Sequence, residues 1–515
     1  MSDALARVPA LAAQHLLLAM AALALALLIA LPLGVRAARA PRLAGVVLGA
    51  ASLIQTIPSL ALLALFYPVL LWVSSLVGGG VPALGFLPAL LALTLYALLP
   101  IVRNLVTGFA ALDPAVLEAA DGIGMTPAQK LARVEAPLVL PIAMAGVRTA
   151  AVWTIGAATL STTVGQPSLG DLIFAGLQTQ AWALVIAGCV SSAALALGVD
   201  ALLGLAERAA GRRRWGMVAA AGGALLAATV LASVPLWPRG GHDRTVVVGA
   251  KNFSEQYILA RLIGDRLTRA GYTVRYRDGL GSAVAFGAVA GGDIDVYVDY
   301  AGTIWGAEMK RQDVVPRAQQ LRAVAEWTRA THGVTLLGAL GFENAYAFAM
   351  RGADARARGI ATLDDLVPAA PRLALGADLE FLDRAEWAAI RRAYPLRFAS
   401  ATPYSPTFMY RALESGRADV ISAFSSDGRI AADGLTVLRD PKGAIPGYDA
   451  ILLIAPRRRD DARFRAALAP LVGRIPVDAM RAANYRVDRD RDKQTPEAAA
   501  LWLAARIGLA PPSEE

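Results

Sequence analysis

The sequence predicts two fold classes in one chain: an all-α membrane half of about six spans, then a two-lobed α/β soluble half. Three observations carry this. Of the 515 residues, 56% are hydrophobic and only 18% charged, against roughly half and a quarter in ordinary soluble chains. Long apolar runs are confined to the stretch before Leu236, and after His242 the composition is that of a soluble protein. That second stretch then alternates short strand patterns with helical ones, as α/β layers require.

A bilayer core of about 30 Å needs about 20 apolar residues per helix. Six stretches meet this: 12–35, 43–66, 84–102, 143–160, 182–205 and 218–236. The first is too long for a secretory signal and further spans follow it, so it reads as a retained helix. The last follows Arg212, Arg213 and Arg214 and precedes the soluble half, the layout of an uncleaved signal-anchor.

Basic residues in the short loops orient the spans. Arg36, Arg39 and Arg42 lie between spans one and two; Arg103, Lys130 and Arg133 between three and four; Arg208 and Arg212 to Arg214 between five and six. The opposite loops, 67–85 and 161–181, contain no Lys or Arg. The basic loops therefore face the cytoplasm, and both termini and the soluble half lie outside it. Much of the +9 net charge is thus an orientation signal, which removes most of the case for nucleic acid. The single Cys189 excludes a disulfide within the chain, and three scattered histidines, His15, His242 and His332, do not make a metal site. No metal or cofactor is expected.

In the soluble half, 245–250 reads as a buried strand and 255–269 as a helix with Ile258, Leu259, Leu262, Ile263 and Leu267 on one face. Residues 273–277, 294–298, 373–375 and 418–424 read as further strands, with a short helix over 283–290. Ligands of such layers bind beyond the carboxyl ends of the strands, here in a cleft between two lobes.

The third basic loop reads GluAlaAlaAspGlyIleGly at 118–124 and ValGluAlaPro at 134–137. This resembles the EAA loop of ABC-importer permeases, keeping Glu118, Ala119, Ala120, Gly124, Val134 and Pro137, with Ala136 where Leu is usual. The resemblance implies a MetI-like permease whose loop, a short helix–turn–helix, docks on a separate ABC ATPase subunit. Small alanines permit close packing, Gly124 turns the chain and Glu118 offers a charge. No G-x-x-x-x-G-K-[ST] phosphate loop occurs, so ATP hydrolysis falls to the partner. GlnThrIlePro at 55–58 and ArgThrAlaAlaValTrpThrIleGly at 148–156 resemble the betaine/choline permeases, and Arg148 is expected to snorkel or face the bundle interior.

In the soluble half, AlaLysAsnPheSerGluGln (250–256), AspTyrAlaGlyThr (299–303), GlyPheGluAsnAlaTyr (341–346), GluPheLeuAspArg (380–384), AlaPheSerSerAspGlyArg (423–429) and ProGlyTyrAsp (446–449) resemble, in order, OpuAC/ProX-type substrate-binding proteins. The resemblance implies a periplasmic-binding-protein-like fold. It also implies an aromatic box of Tyr300, Tyr346, Phe424 and Tyr448 for a quaternary ammonium, and a carboxylate clamp of Lys251, Thr303 and Arg384. Glu343, Asn344, Ser425 and Asp427 are second candidates, as ligand contacts or turn caps. A trimethylammonium has no N–H to donate, so ring faces are its best partners. Tyr297, Trp305, Phe348 and Phe408 are assigned to the core, and GlyLeuGlySer at 279–282 to a tight turn.

The expected organisation is a permease at 1–215, the sixth span and linker at 216–243, and an extracytoplasmic binding domain at 244–515. Together these describe an importer subunit of the cytoplasmic (inner) membrane, paired as a homodimer, carrying glycine betaine, choline, carnitine or ergothioneine. A membrane receptor or channel would need a cytoplasmic output domain or pore motif. A secreted-side enzyme would need a nucleophile with its base, or paired carboxylates.

Overall fold

The computed structural model describes residues 2–78, 81–178, 181–212, 214–233, 244–311, 313, 315–379, 381–489 and 491–509. The expected linker, the end of the sixth span at 234–236, Arg213 and Glu380 lie outside them. The chain divides into two compact units, one of Met1–Phe174 with Trp182–Gly240, the other of Gly241–Glu515 with Ala175–Ala181.

The first unit is helical: α1 (Ser2–Ala38), α2 (Pro41–Thr56), α3 (Ser59–Leu76), α4 (Phe86–Ala110), α5 (Pro114–Gly122), α6 (Pro127–Lys130), α7 (Ala136–Ala158), α8 (Gly170–Gln178), α9 (Trp182–Gly211) and α10 (Trp215–Ser233). Among the described residues, six helices are long and apolar enough to cross a bilayer. Helices α1, α4 and α7 form the centre, burying Ala19, Ala26 and Ala30 against Ala97, Ile101 and Leu105 and against Ala150, Ala151 and Ile155. Leu197, Leu226 and Leu231 stay exposed at 66–70%, a disposition that suits lipid rather than water.

One expected span is corrected. The run 43–66 is two helices, because Ile57 is extended (φ −71°, ψ 125°) ahead of Pro58; a proline lacks the N–H and disfavours helix in the residue before it. The crossing helix is instead Ser59–Leu76. The carbonyl freed at Ile57 accepts from the Tyr96 hydroxyl, and Gln55 Nε2 donates to the Tyr96 carbonyl at 3.2 Å. Backbone groups released in an apolar layer need such partners, which accounts for the GlnThrIlePro motif. Arg148, 32% exposed, forms a two-point bond with Asp200 (2.8 Å each) and a third with Glu207 (2.9 Å), joining α7 to α9.

Between α4 and α7, the basic loop folds as two short helices. Asp113 caps α5 through the Ala115 N–H, and Thr126 and Gln129 form a reciprocal capping box on α6. Gly124 turns the chain at φ +76°, a conformation other residues adopt only with strain. Lys130 clips back to Asp121 at 2.7 Å, and Arg39 reaches buried Glu135 at 2.9 Å.

The second unit holds two five-stranded sheets. The first comprises β1 (Thr245–Lys251), β2 (Thr273–Leu280), β3 (Val296–Tyr300), β4 (Thr335–Glu343) and, late in the chain, β10 (Asp449–Ile454), in the order β2-β1-β3-β10-β4. The second comprises β5 (Tyr346–Arg351), β6 (Ala374–Asp378), β7 (Ser400–Tyr404), β8 (Val420–Phe424) and β9 (Leu435–Val437), in the order β7-β6-β8-β5-β9. The chain therefore crosses between sheets twice, after β4 and after β9. The predicted face of α11 (Ser254–Arg269) is fully used: Ile258, Leu259, Leu262, Ile263 and Leu267 are all buried. Tyr297, Trp305 and Phe348 are core, as expected; Phe408 is not, at 49% exposed on a surface helix.

Candidate functional site

Strand direction builds the site. Lys251 ends β1, Tyr300 ends β3, Asp378 ends β6 and Phe424 ends β8, while Tyr346 opens β5 and Tyr448 immediately precedes β10. Side chains at strand ends and at the two crossovers thus converge on one cavity of about 210 Å³. All seven first candidates line it: Lys251, Tyr300, Thr303, Tyr346, Arg384, Phe424 and Tyr448. Among the second candidates, Asn344 and Asp427 line it; Glu343 and Ser425 do not. Ser425 Oγ instead donates to the Glu343 carbonyl (3.1 Å) and accepts from the Ala345 N–H (2.9 Å). Those bonds fasten the crossover after β4 to the end of β8.

Tyr346 stands at the corner of the aromatic cluster. Its ring lies 5.1 Å from Phe424 and 6.2 Å from Tyr448, the latter at 83°. Tyr300 pairs with Phe253 at 6.2 Å, an aromatic the sequence motif contained and the candidate set omitted. Gly302 makes room for the cluster, since a Cβ there would lie 2.5 Å from Tyr448 Cε2.

Each tyrosine hydroxyl donates to a carboxylate: Tyr300 to Glu255 at 2.5 Å, Tyr346 to Asp378 at 3.0 Å, and Tyr448 to Glu386. Burial pushes all three phenols up, and the adjacent acids push further in the same direction. The rings therefore remain neutral and are fixed in orientation by those bonds. Those properties strengthen attraction between a ring face and a cation.

The three cations of the lining already have partners. Lys251 is buried against Asp299, Arg384 holds Glu386 at 3.2 Å, and Arg429 holds Asp427 at 2.6 Å. Asp299 also accepts from Tyr297 at 2.6 Å. Lys251 Nζ lies 5.5 Å from the Tyr300 ring centroid and Arg384 5.6 Å from that of Tyr346. A buried ion pair of this kind holds geometry more than it adds stability.

Glu255, Asn484 and Asp488 line the cavity as well, unanticipated. Burial raises the Glu255 carboxyl, which accepts from Tyr300, from Asn344 Nδ2 (3.1 Å) and from Asn484 Nδ2 (2.9 Å). Burial likewise lifts Asp488 to about 6, against a hydrogen bond from Ser254 at 2.5 Å. Phe253, Glu255 and Arg429 sat within the recognised motifs and could have been chosen. Asn484 and Asp488 lie on the helix Val477–Asp488, in no motif, and carried no signal.

Residues 244–505 match the family described as the substrate binding domain of ABC-type glycine betaine transport system. Residues 30–212 match the binding-protein-dependent transport system inner membrane component. Across 88% of the chain and 82% of the relative, it is 29% identical to the ergothioneine transport permease/ergothioneine binding protein EgtU of Helicobacter pylori (strain G27). Over 38% of the chain and 84% of the relative, it is 41% identical to the choline transport system permease protein OpuBB of Bacillus subtilis (strain 168). A crystal structure of a glycine betaine/carnitine/choline ABC transporter aligns over 51% of this chain and 99% of its own, at 25% identity and a TM-score of 0.46.

Proposed function

This chain belongs to the family of substrate-binding domains of ABC-type glycine betaine transport systems, and from that premise we propose that its cavity captures a small quaternary-ammonium zwitterion. The chain is a fused permease and binding subunit of an ABC importer, a multi-pass protein of the inner membrane whose binding domain is extracytoplasmic. It is a transport subunit. The permease occupies 1–215, the sixth span and linker 216–243, and the binding domain 244–515.

The observation that carries the ligand class is the set of tyrosines, each with its hydroxyl fixed on a carboxylate. Tyr346, Phe424 and Tyr448 receive the ammonium, with Tyr300 and Phe253 extending the aromatic wall. Thr303 and Arg384 receive the carboxylate. Lys251, whose ammonium has donors beyond the one on Asp299, joins them in the clamp and holds β1 to β3. The lobes close on the ligand by bending at the two crossovers. Ergothioneine, a trimethylated histidine with a thione, is a second reading, supported by the relative that matches both halves of the chain.

On the cytoplasmic side, Glu118, Ala119, Ala120, Gly124 and Pro137 receive a separate ATPase subunit, two of which serve a homodimer of permeases. Exposed Glu118 and Ile123 on the α5 turn support this. Calorimetric titration of the purified chain with glycine betaine, choline, carnitine and ergothioneine tests the ligand class: at least one binds. Binding of none of the four would sink it.

A further inference from the structure

Acids outnumber cations around the cavity. Glu255, Asp378, Asp427 and Asp488 line it, against Lys251, Arg384 and Arg429. Two of those cations have carboxylates outside the lining, Lys251 with Asp299 and Arg384 with Glu386, while Arg429 holds Asp427. Glu255 is sealed at 3% exposed and wrapped by Tyr300, Asn344 and Asn484. Asp378 takes the Tyr346 hydroxyl. Asp488 differs from these. It ends the helix Val477–Asp488 and stays partly accessible at the cavity wall. Among the described residues, its side chain has one hydrogen bond, from Ser254 at 2.5 Å.

The groups facing Asp488 nearly balance. From α11 comes the Ser254 hydroxyl, from the turn after β8 come Asp427 and Arg429, and beyond its own helix lies Lys493. Arg429 commits Nε and one terminal nitrogen to Asp427 and lies over the Tyr410 ring at 3.8 Å. Burial raises the Asp488 carboxyl, and Asp427 raises it further against the pull of Arg429 and Lys493. A carboxyl so placed changes its proton when a charged ligand arrives. We infer that Asp488 is a proton-switched specificity residue: ionised, it favours a bare quaternary-ammonium cation over one that carries a carboxylate; protonated, it accepts the zwitterion. The inference rests on the quaternary-ammonium reading and adds a control to it. In a cavity of about 210 Å³ a ligand carboxylate cannot stand far from Asp488, and two anions at short range in a low-dielectric site repel strongly. A proton taken from solvent removes that repulsion and gives Asp488 an O–H to donate.

The test is calorimetric titration of the full-length chain with choline and glycine betaine across pH 4.5 to 7.5. Both ligands carry the same ammonium, so its attraction to Asp488 cancels in the ratio of their affinities and the carboxylate alone is read. Neither ligand changes its own charge over that range. The affinity for choline relative to glycine betaine is expected to rise about tenfold from the lower pH to the higher. Asp488→Asn, uncharged throughout, is expected to hold the ratio within about twofold. Ser254→Ala removes the hydrogen bond that favours the ionised form, so the midpoint of the rise is expected at higher pH; this variant keeps the experiment decisive if Asp488→Asn does not fold. A ratio that does not move with pH in the wild type, with both ligands bound, overturns the inference and leaves the ammonium reading standing. A ratio that still moves in Asp488→Asn, or a midpoint unmoved in Ser254→Ala, overturns the assignment to Asp488. Failure of either ligand to bind overturns the inference alone; the ligand class falls only if carnitine and ergothioneine fail as well.

Discussion

The cytoplasmic loop and the cavity are assembled in opposite ways. The loop draws on one short stretch, and its shape comes from local bonds: the Asp113 cap, the Thr126–Gln129 box, the Gly124 turn and the Lys130–Asp121 clip. Its conspicuous side chains are exposed, Ile123 at 74%. The cavity instead gathers residues from Lys251 to Asp488, and many of its polar groups are held by others distant in sequence, as Tyr300 by Glu255, Ser254 by Asp488 and Glu255 by Asn484. A local device tolerates single changes, whereas a cooperative one does not. Four substitutions measure that difference.

The largest effect is expected at the corner of the aromatic cluster. Tyr346→Ala removes the ring that touches Phe424 and Tyr448 and leaves Asp378 without that donor. Ligand affinity is expected to fall about 100-fold, about 2.7 kcal/mol, by calorimetry. A change below threefold would remove Tyr346 from the site.

Next comes Asp488, lifted by burial from the ordinary carboxylate range to about 6. Its raised folded-state pKa means the folded protein holds this proton more tightly than the unfolded chain does. Stability from this group is therefore greatest below pH 4 and declines as pH rises towards 6, then stays level. Asp488→Asn should flatten that part of the stability curve, with a gain over wild type at pH 7.5 on the order of 2 kcal/mol. Thermal unfolding at pH 4.5 and 7.5 measures it; parallel curves for the two proteins would contradict the assignment.

A change in the loop separates docking from capture. Glu118→Arg is expected to lower transport into proteoliposomes containing the ATPase about tenfold, with ligand affinity of the chain unaltered. Loss of affinity as well would break the division of labour between the two regions. The smallest effect is expected from Gly124→Ala. Nothing stands within 4 Å of the added Cβ, so only the positive φ resists it. The cost is about 1 kcal/mol, visible as faster proteolysis of the loop and not of the binding domain. Unchanged cleavage would show that the turn relaxes freely.

Legibility followed the same division. Spans, orientation and the loop were readable because their signals are contiguous: apolar length, basic residues, a cap, a turn. The one misread span failed on a local cue already present, Pro58, whose break is made tolerable by Tyr96 some forty residues on. In the cavity, Tyr300, Tyr346, Phe424 and Tyr448 were recognisable because each sits at a strand end within a motif. Phe408 was misassigned to the core because a helix face exposed to solvent cannot be told from a buried one by a single ring.

The sequence by itself determined which half crosses the membrane, which side of it the binding domain occupies, and which strand-end residues line the cavity. Hydropathy, charge and strand ends are local properties of the chain. Only the tertiary structure decided that Lys251 pairs with Asp299, that Ser425 ties the Glu343 carbonyl and the Ala345 N–H to the end of β8, and that Glu255 gathers Tyr300, Asn344 and Asn484. Those outcomes depend on which group, hundreds of positions away or fewer than fifty, arrives first within hydrogen-bond distance. Partnership in a buried cavity is a property of the folded geometry, and no spacing along the chain encodes it.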